Sequence, residues 1–190
     1  MSLEFNRRSF LKYSAAAAVA VAGSSLLVGC GEDEYQKTGK IGSTLKLMGA
    51  FKLEAAKLDS APTTTEADKT LTCNFSLKCT SKYGLNIVPA NFQVEVTSKA
   101  TKKVTTYHAY NTDGTGGVSL SNSNNYLKKD ESLDTVLKVT NIKVADGDTI
   151  KVKFWPRPQA SEGSQAYTRA FCTWKMAAKK DSVTGKITLE

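Results

Sequence analysis

Between residues 70 and 80 the chain alternates without a break. Leu71, Cys73, Phe75, Leu77 and Cys79 hold the odd positions, while Thr, Asn, Ser and Lys hold the even ones. Side chains of an extended strand point alternately to its two faces, so this pattern sets one face on a core and the other in water. A helix, with its longer period, does not produce it. The rest of the chain must therefore supply a second layer to cover that face. Shorter runs of the same kind recur at 92–96, 104–110, 133–139 and 150–154. A last run, about 168–176, carries Ala170, Cys172, Trp174 and Met176 on one side. From position 45 onward, Leu45, Leu47, Phe51, Leu53 and Ala55 share one parity, and Gly49 interrupts them where a bulge or bend belongs. Turn chemistry at Ala100-Thr101-Lys102, at Asp146-Gly147-Asp148 and across 157–165 separates the runs. Seven or eight strands in about 150 residues, with no convincing helix, no repeat and no βαβ spacing, predict an all-β, antiparallel β-sandwich. Leu71, Phe75, Leu77, Val94, Leu137, Val152, Phe154 and Trp174 are its expected core.

The N-terminus follows different rules. Asn6-Arg7-Arg8-Ser9-Phe10-Leu11-Lys12 resembles the twin-arginine export motif: the pair Arg7 and Arg8, a spacer, then Phe10, Leu11 and Lys12. Asn6 stands where that family usually has Ser or Thr. An Ala-dominated apolar run of 17 residues follows, from Tyr13 to Gly29, marginal for a membrane span of about 20 residues. It ends in Leu27-Val28-Gly29-Cys30, which resembles the bacterial lipobox. The resemblance implies cleavage before Cys30 and a diacylglyceryl thioether on its sulfur. An uncleaved Ala-rich anchor helix leaves unexplained why the arginine pair and the cysteine close opposite ends of one apolar run.

This divides the chain into a signal peptide (1–29), a lipidated Cys30 with a flexible tether (30–42), a sandwich (43–178) and a C-terminal tail (179–190). One domain is what 190 residues support. The signal holds three of the 26 basic and one of the 18 acidic residues, so the net charge falls from +8 to +6 beyond it. That excess fits weak attraction to anionic lipid or wall polymer. Nucleic acid is not an expected partner, because no basic cluster interleaves with aromatics and the destination is extracytoplasmic. Lys175, Lys179, Lys180 and Lys186 read as a solvated face.

A strand ending in Cys-Thr, the Pro89–Val94 turn into the next strand, Ser-Leu-Asp-Thr-Val-Leu-Lys-Val and Gly-Asp-Thr-Ile-Lys-Val are similar to immunoglobulin-like domains of bacterial lipoproteins. The likeness covers about residues 44–175. It implies an immunoglobulin-like sandwich tethered behind a lipobox, and no catalytic residues.

Chemistry-bearing constellations are sparse. His108 is the only histidine, so sites needing two imidazoles are excluded. It shares parity with Val104, Thr106 and Tyr110, and reads as a half-buried sheet residue rather than a general base. There is no Gly-x-Ser-x-Gly elbow, phosphate loop or Cys-x-x-Cys. Cys73 and Cys79 lie about 20 Å apart along one strand, so they neither bond each other nor share a metal with Cys172. A disulfide from Cys172 to Cys73 or to Cys79 stays open, as do three inert thiols. Asp113, Asp130 and Glu131 lack calcium-ligand spacing. No metal, cofactor or enzymatic activity is expected.

Two features lie outside the expected core. Residues 111–131 form a long polar connection, either a binding element or disordered. Trp155 shares parity with Lys151 and Lys153 and is expected to face outward beside Pro156-Arg157-Pro158. It is either a stacking platform, with Tyr167 as a second ring and Arg157 as a charge, or part of a satellite cluster beneath the loop or tether. The expected function is non-enzymatic binding of a protein, glycan or wall component at the envelope. The alternative is an accessory or solute-binding subunit that passes a small ligand to a transporter or enzyme.

Overall fold

The unbroken alternation becomes a twelve-residue strand at the centre of one of two facing sheets. In a computed structural model of the chain, the structure describes residues 35–60, 68–109, 117–156 and 170–190. The signal residues Arg7, Arg8, Phe10, Leu11 and Lys12, and the expected lipidation site Cys30, lie outside the described residues. So do Arg157, Tyr167 and Asp113.

The described strands are β1 (Gln36–Gly39), β2 (Thr44–Lys46), β3 (Gly49–Ser60), β4 (Asp68–Cys79), β5 (Leu85–Ile87), β6 (Phe92–Thr97) and β7 (Val104–His108). They continue with β8 (Val118–Leu120), β9 (Asn124–Leu127), β10 (Ser132–Lys143), β11 (Thr149–Phe154), β12 (Phe171–Lys180) and β13 (Ile187–Leu189). A 3-10 turn, Pro89–Asn91, precedes β6. One sheet runs β2-β3-β4-β10-β8 and the other β1-β12-β11-β6-β7, while β5 and β9 pair with each other. This is the connectivity of an immunoglobulin sandwich. β3, β4, β10 and β8 take the places of strands A, B, E and D; β12, β11, β6 and β7 take those of G, F, C and C′.

All eight expected core residues are buried. Rings from the two sheets meet between them: Phe75 of β4 lies 5.2 Å from Phe92 and 5.3 Å from Trp174, and Phe51 of β3 lies 4.7 Å from Phe154. The Trp174 indole N–H, inside this apolar layer, donates to the Ser43 carbonyl at 3.1 Å. The only polar atom of that ring is thereby satisfied, as burial requires.

Several expectations need correction. The tether does not extend to residue 42, because β1 pairs in parallel with β12 (Gln36 opposite Phe171 through Gly39 opposite Trp174). The sandwich is therefore antiparallel except along this edge. Nor do residues 179–190 form a loose tail: β12 continues to Lys180, and β13 folds back on it, pairing Ile187 with Lys180 and Leu189 with Ala178. The connection 111–131 holds β8 and β9, with Val118 and Leu127 buried.

Of the bulge or bend expected at Gly49, the chain makes the bend. Gly49 opens β3 just after the turn at Leu47 and Met48 of the β2–β3 hairpin, where a Cβ would meet the Lys78 carbonyl oxygen at 2.4 Å. The bulge falls between Leu53 and Ala55, and it reverses the parity of β3. Ala55 is consequently exposed, while Ala56 and Leu58 pack on the core. A second bulge in β10, between Val139 and Ile142, contains Asn141 at φ 55° and turns Ile142 inward. Both bulged strands flank β4, which stays regular.

Of the two alternatives left open for the thiols, the structure has the unbridged one. Cys73, Cys79 and Cys172 are all buried and unbridged. Cys73 and Cys79 project inward from one sheet and Cys172 from the other.

Candidate functional site: a lysine-lined groove at one pole

Three turns gather at the end of the sandwich where β12 finishes. They are the β6–β7 turn around 98–103, the β10–β11 turn around 144–148 and the β12–β13 turn around 181–186. Asp148, only 6% exposed, ties the first two together. Its Oδ1 accepts the Lys99 backbone N–H at 2.9 Å and its Oδ2 accepts that of Ala145 at 2.9 Å. Its own carbonyl accepts the Ala178 N–H at 2.9 Å, which joins β12 to the same knot. Gly147 sits at φ +79°, with the Lys99 stem so close that a Cβ would lie 2.4 Å from its Cδ. Asp146 Oδ1 accepts the Lys180 N–H at 2.8 Å.

The β12–β13 turn is built on Asp181. Its Oδ1 accepts the backbone N–H groups of Val183 at 2.9 Å and Thr184 at 2.7 Å, and the Thr184 hydroxyl at 3.0 Å. The Thr184 donors, foremost among these bonds, hold the carboxyl below its ordinary pKa.

Between the turns lies a groove of about 1150 Å³. Lys69, Lys103, Lys143, Lys180 and Lys186 line it, together with Asp59, Asp146 and Asp148. Asp148 and Asp146 are engaged by backbone donors, and Asp59 pairs with Lys57 at 3.1 Å, a residue outside the lining. Among the described residues, Lys103, Lys143, Lys180 and Lys186 form no ion pair. The groove therefore keeps a positive excess on long, exposed side chains. Ser98, Thr101, Thr105 and Thr184 add hydroxyl groups, whereas no His or Cys lines it. Ammonium groups with hydroxyls beside them are donors of the kind that hold anions.

The opposite pole is closed, and it overturns the exposed-platform reading of Trp155. Strand parity ends with β11 at Phe154. Beyond it the Trp155 N–H donates to the Asn91 carbonyl at 2.9 Å, and Asn91 Nδ2 donates back to the Trp155 carbonyl at 2.7 Å. Asn91, fully buried, also accepts the Val88 N–H on its Oδ1 at 2.7 Å. The indole is 6% exposed and lies 5.6 Å from the Phe171 ring, with Lys153 Nζ 5.7 Å from that ring. Trp155 thus belongs to a satellite cluster on the outer face of its sheet. With Arg157 and Tyr167 outside the described residues, the expected trio is not brought together.

His108 ends β7 half-buried, opposite Gln93. Among the described residues no three His, Cys, Asp or Glu side chains converge. Of the groove lysines, Lys180 and Lys186 were legible only as part of a solvated face and Lys69, Lys103 and Lys143 not at all, because the turns that unite them are distant in sequence.

Residues 4–24 match the signal-sequence family of the twin-arginine translocation pathway, so the chain carries an address for export across the cytoplasmic membrane. No curated protein matches the chain. Among solved structures it is similar to the Bacillus subtilis protein ycdA, described as a candidate lipoprotein, at 16% identity and a TM-score of 0.46 over 76% of this chain. The chain spans 40% of the length of that protein. It is similar to the Bacillus subtilis yjhA protein at 12% identity and a TM-score of 0.41, over 71% of this chain and 98% of the other. An uncharacterised β-sandwich protein of Clostridium difficile shows 8% identity and a TM-score of 0.41, over 77% and 98% of the two chains. The assignment of the fold rests on strand order, not on these distant likenesses.

Proposed function

We propose that the chain is an envelope lipoprotein, exported by the twin-arginine route, cleaved before Cys30 and anchored through a lipid on its sulfur. Its sandwich works outside the cytoplasmic membrane as a non-enzymatic binding domain. The observation that supports the anchor is the order of the two address marks, Arg7-Arg8 opening the apolar run and Leu27-Val28-Gly29-Cys30 closing it. The lysine groove supports the binding role, since it offers exposed cations with hydroxyls beside them. An accessory role in small-solute transfer has less support, because flexible lysines on an open groove do not enclose a small molecule.

Metabolic labelling with a fatty acid tests the anchor. Cys30→Ala should abolish label incorporation and release the protein from the membrane fraction. Replacing Arg7 and Arg8 by Lys should leave a folded chain in the cytoplasm. Label that persists in Cys30→Ala, or export that persists in the double-Lys variant, contradicts the reading.

A further inference from the structure

We infer that the lysine groove binds a linear phosphodiester polyanion lying beyond the membrane, not the headgroups of the membrane that holds the protein. The outward direction rests on the anchor proposed above; the groove itself does not.

The argument is one of polarity. The chain enters the sandwich at the closed pole, where the Phe171 N–H donates to the Tyr35 carbonyl at 2.9 Å and β1 starts alongside the first residue of β12. Strand β12 then runs ten residues to Lys180, which lines the groove. At about 3.3 Å per residue, the groove stands about 30 Å from the entry point. Cys30 is only five residues upstream of Tyr35, a reach of at most about 18 Å. A short leash fixed at one pole favours an outward-facing groove at the other.

The chemistry of the lining selects the occupant. Its carboxylates are already engaged by backbone donors or by Lys57, while four exposed ammonium groups have no carboxylate partner among the described residues. Ammonium point charges with hydroxyls between them suit phosphate oxygens. A groove of about 1150 Å³ formed by three separate turns suits an extended chain better than one compact ion.

A fluorescent linear glycerol phosphate oligomer, titrated into residues 31–190, tests this; that span contains the whole compact unit Asp33–Glu190. Lys103→Gln/Lys143→Gln/Lys186→Gln should weaken binding about tenfold or more, three charge contacts being lost. Lys82→Gln/Lys128→Gln/Lys129→Gln removes the same charge elsewhere and should leave it unchanged. An equal loss in both triples means diffuse attraction and overturns the site, as does no binding by the parent protein. Circular dichroism confirms that each triple is folded.

The second arm couples residues 30–190 through Cys30 to a maleimide lipid, the sandwich thiols being buried. On phosphatidylglycerol vesicles, oligomer affinity should equal that on phosphatidylcholine vesicles. A loss confined to the anionic vesicles would mean that headgroups fill the groove, and overturns the outward assignment. Neither arm requires biological lipidation, so failure of the fatty-acid labelling is distinguishable from failure here.

Discussion

The two poles of the sandwich are finished in opposite ways. One is closed by burial: Asn91 and Trp155 exchange hydrogen bonds, and the indole packs beside Phe171. The other is held by Asp148, Asp146 and Asp181, which gather backbone N–H groups from three turns and leave lysines standing around a groove. Both solutions satisfy the backbone groups that strand ends leave unpaired. An amide does this without charge and permits an apolar cover. A carboxylate must be solvated or rich in donors: Asp148 is buried among backbone N–H groups, while Asp146 and Asp181 stay exposed to water. The choice of capping residue thus decides which end is sealed and which is available to a ligand.

The largest expected effect strikes the layer that both poles share. Phe75→Ala, which removes a ring packed on Phe92 and Trp174, should cost about 3–5 kcal/mol in urea unfolding. The poles themselves should differ. Asn91→Ala leaves the Val88 N–H and the Trp155 carbonyl without Asn91, and should cost about 2–4 kcal/mol. Asp148→Ala also removes two hydrogen bonds, but water from the groove can replace them, so about 1–3 kcal/mol is expected. Equal costs would erase the distinction between a sealed pole and a wet one. In a Trp174→Phe background, Trp155 should emit blue-shifted and resist quenchers, and Asn91→Ala should shift its emission to the red.

A smaller effect concerns the thiols. Burial pushes the Cys172 pKa up to about 12, with Lys37 pulling weakly the other way, and burial raises Cys73 as well. The unfolded chain therefore releases these protons near pH 9 while the folded chain keeps them. Stability should be fully present below pH 9 and decline above it, by up to about 1.4 kcal/mol per pH unit for each thiol. A melting temperature flat from pH 8.5 to 10.5 would contradict their burial.

The smallest effect is local. The lowered pKa of Asp181 means that its hold on Thr184 persists above the ordinary carboxyl range and is lost as the pH falls through the folded value. Asp181→Ala should speed amide exchange at Val183 and Thr184 without changing the melting temperature.

Strand β4 was fully legible in the sequence because nothing interrupts its pleat. Its neighbours were legible only up to their bulges. Past Leu53 in β3 and Val139 in β10 an extra residue reverses the parity, so Ala55 was assigned inward and is exposed. Strands of three or four residues, such as β5, β8, β9 and β13, are too short to display a period. Parity placed Trp155 on the outer face with Lys153, and of its two readings the satellite cluster holds; what parity could not display is the cover, set by Phe171 and by the backbone bonds to Asn91. Asp146-Gly147-Asp148 was recognisable as a turn. That its carboxylates would bind Lys99 and Lys180, and so assemble a groove, depends on contacts 49 and 34 residues apart in sequence.

The most direct measurement of the proposed orientation, with the Asn91–Trp155 pole toward the proposed anchor at Cys30 and the lysine pole away from it, is energy transfer to the membrane. Residues 30–190 are coupled through Cys30 to vesicles containing an acceptor-labelled lipid. A donor dye is installed through a non-natural residue at position 83, near the closed pole, or at position 186, on the groove. With about 30 Å of β12 separating the poles, transfer should be efficient from position 83 and markedly weaker from position 186. Equal transfer from the two positions, or stronger transfer from 186, would contradict the account.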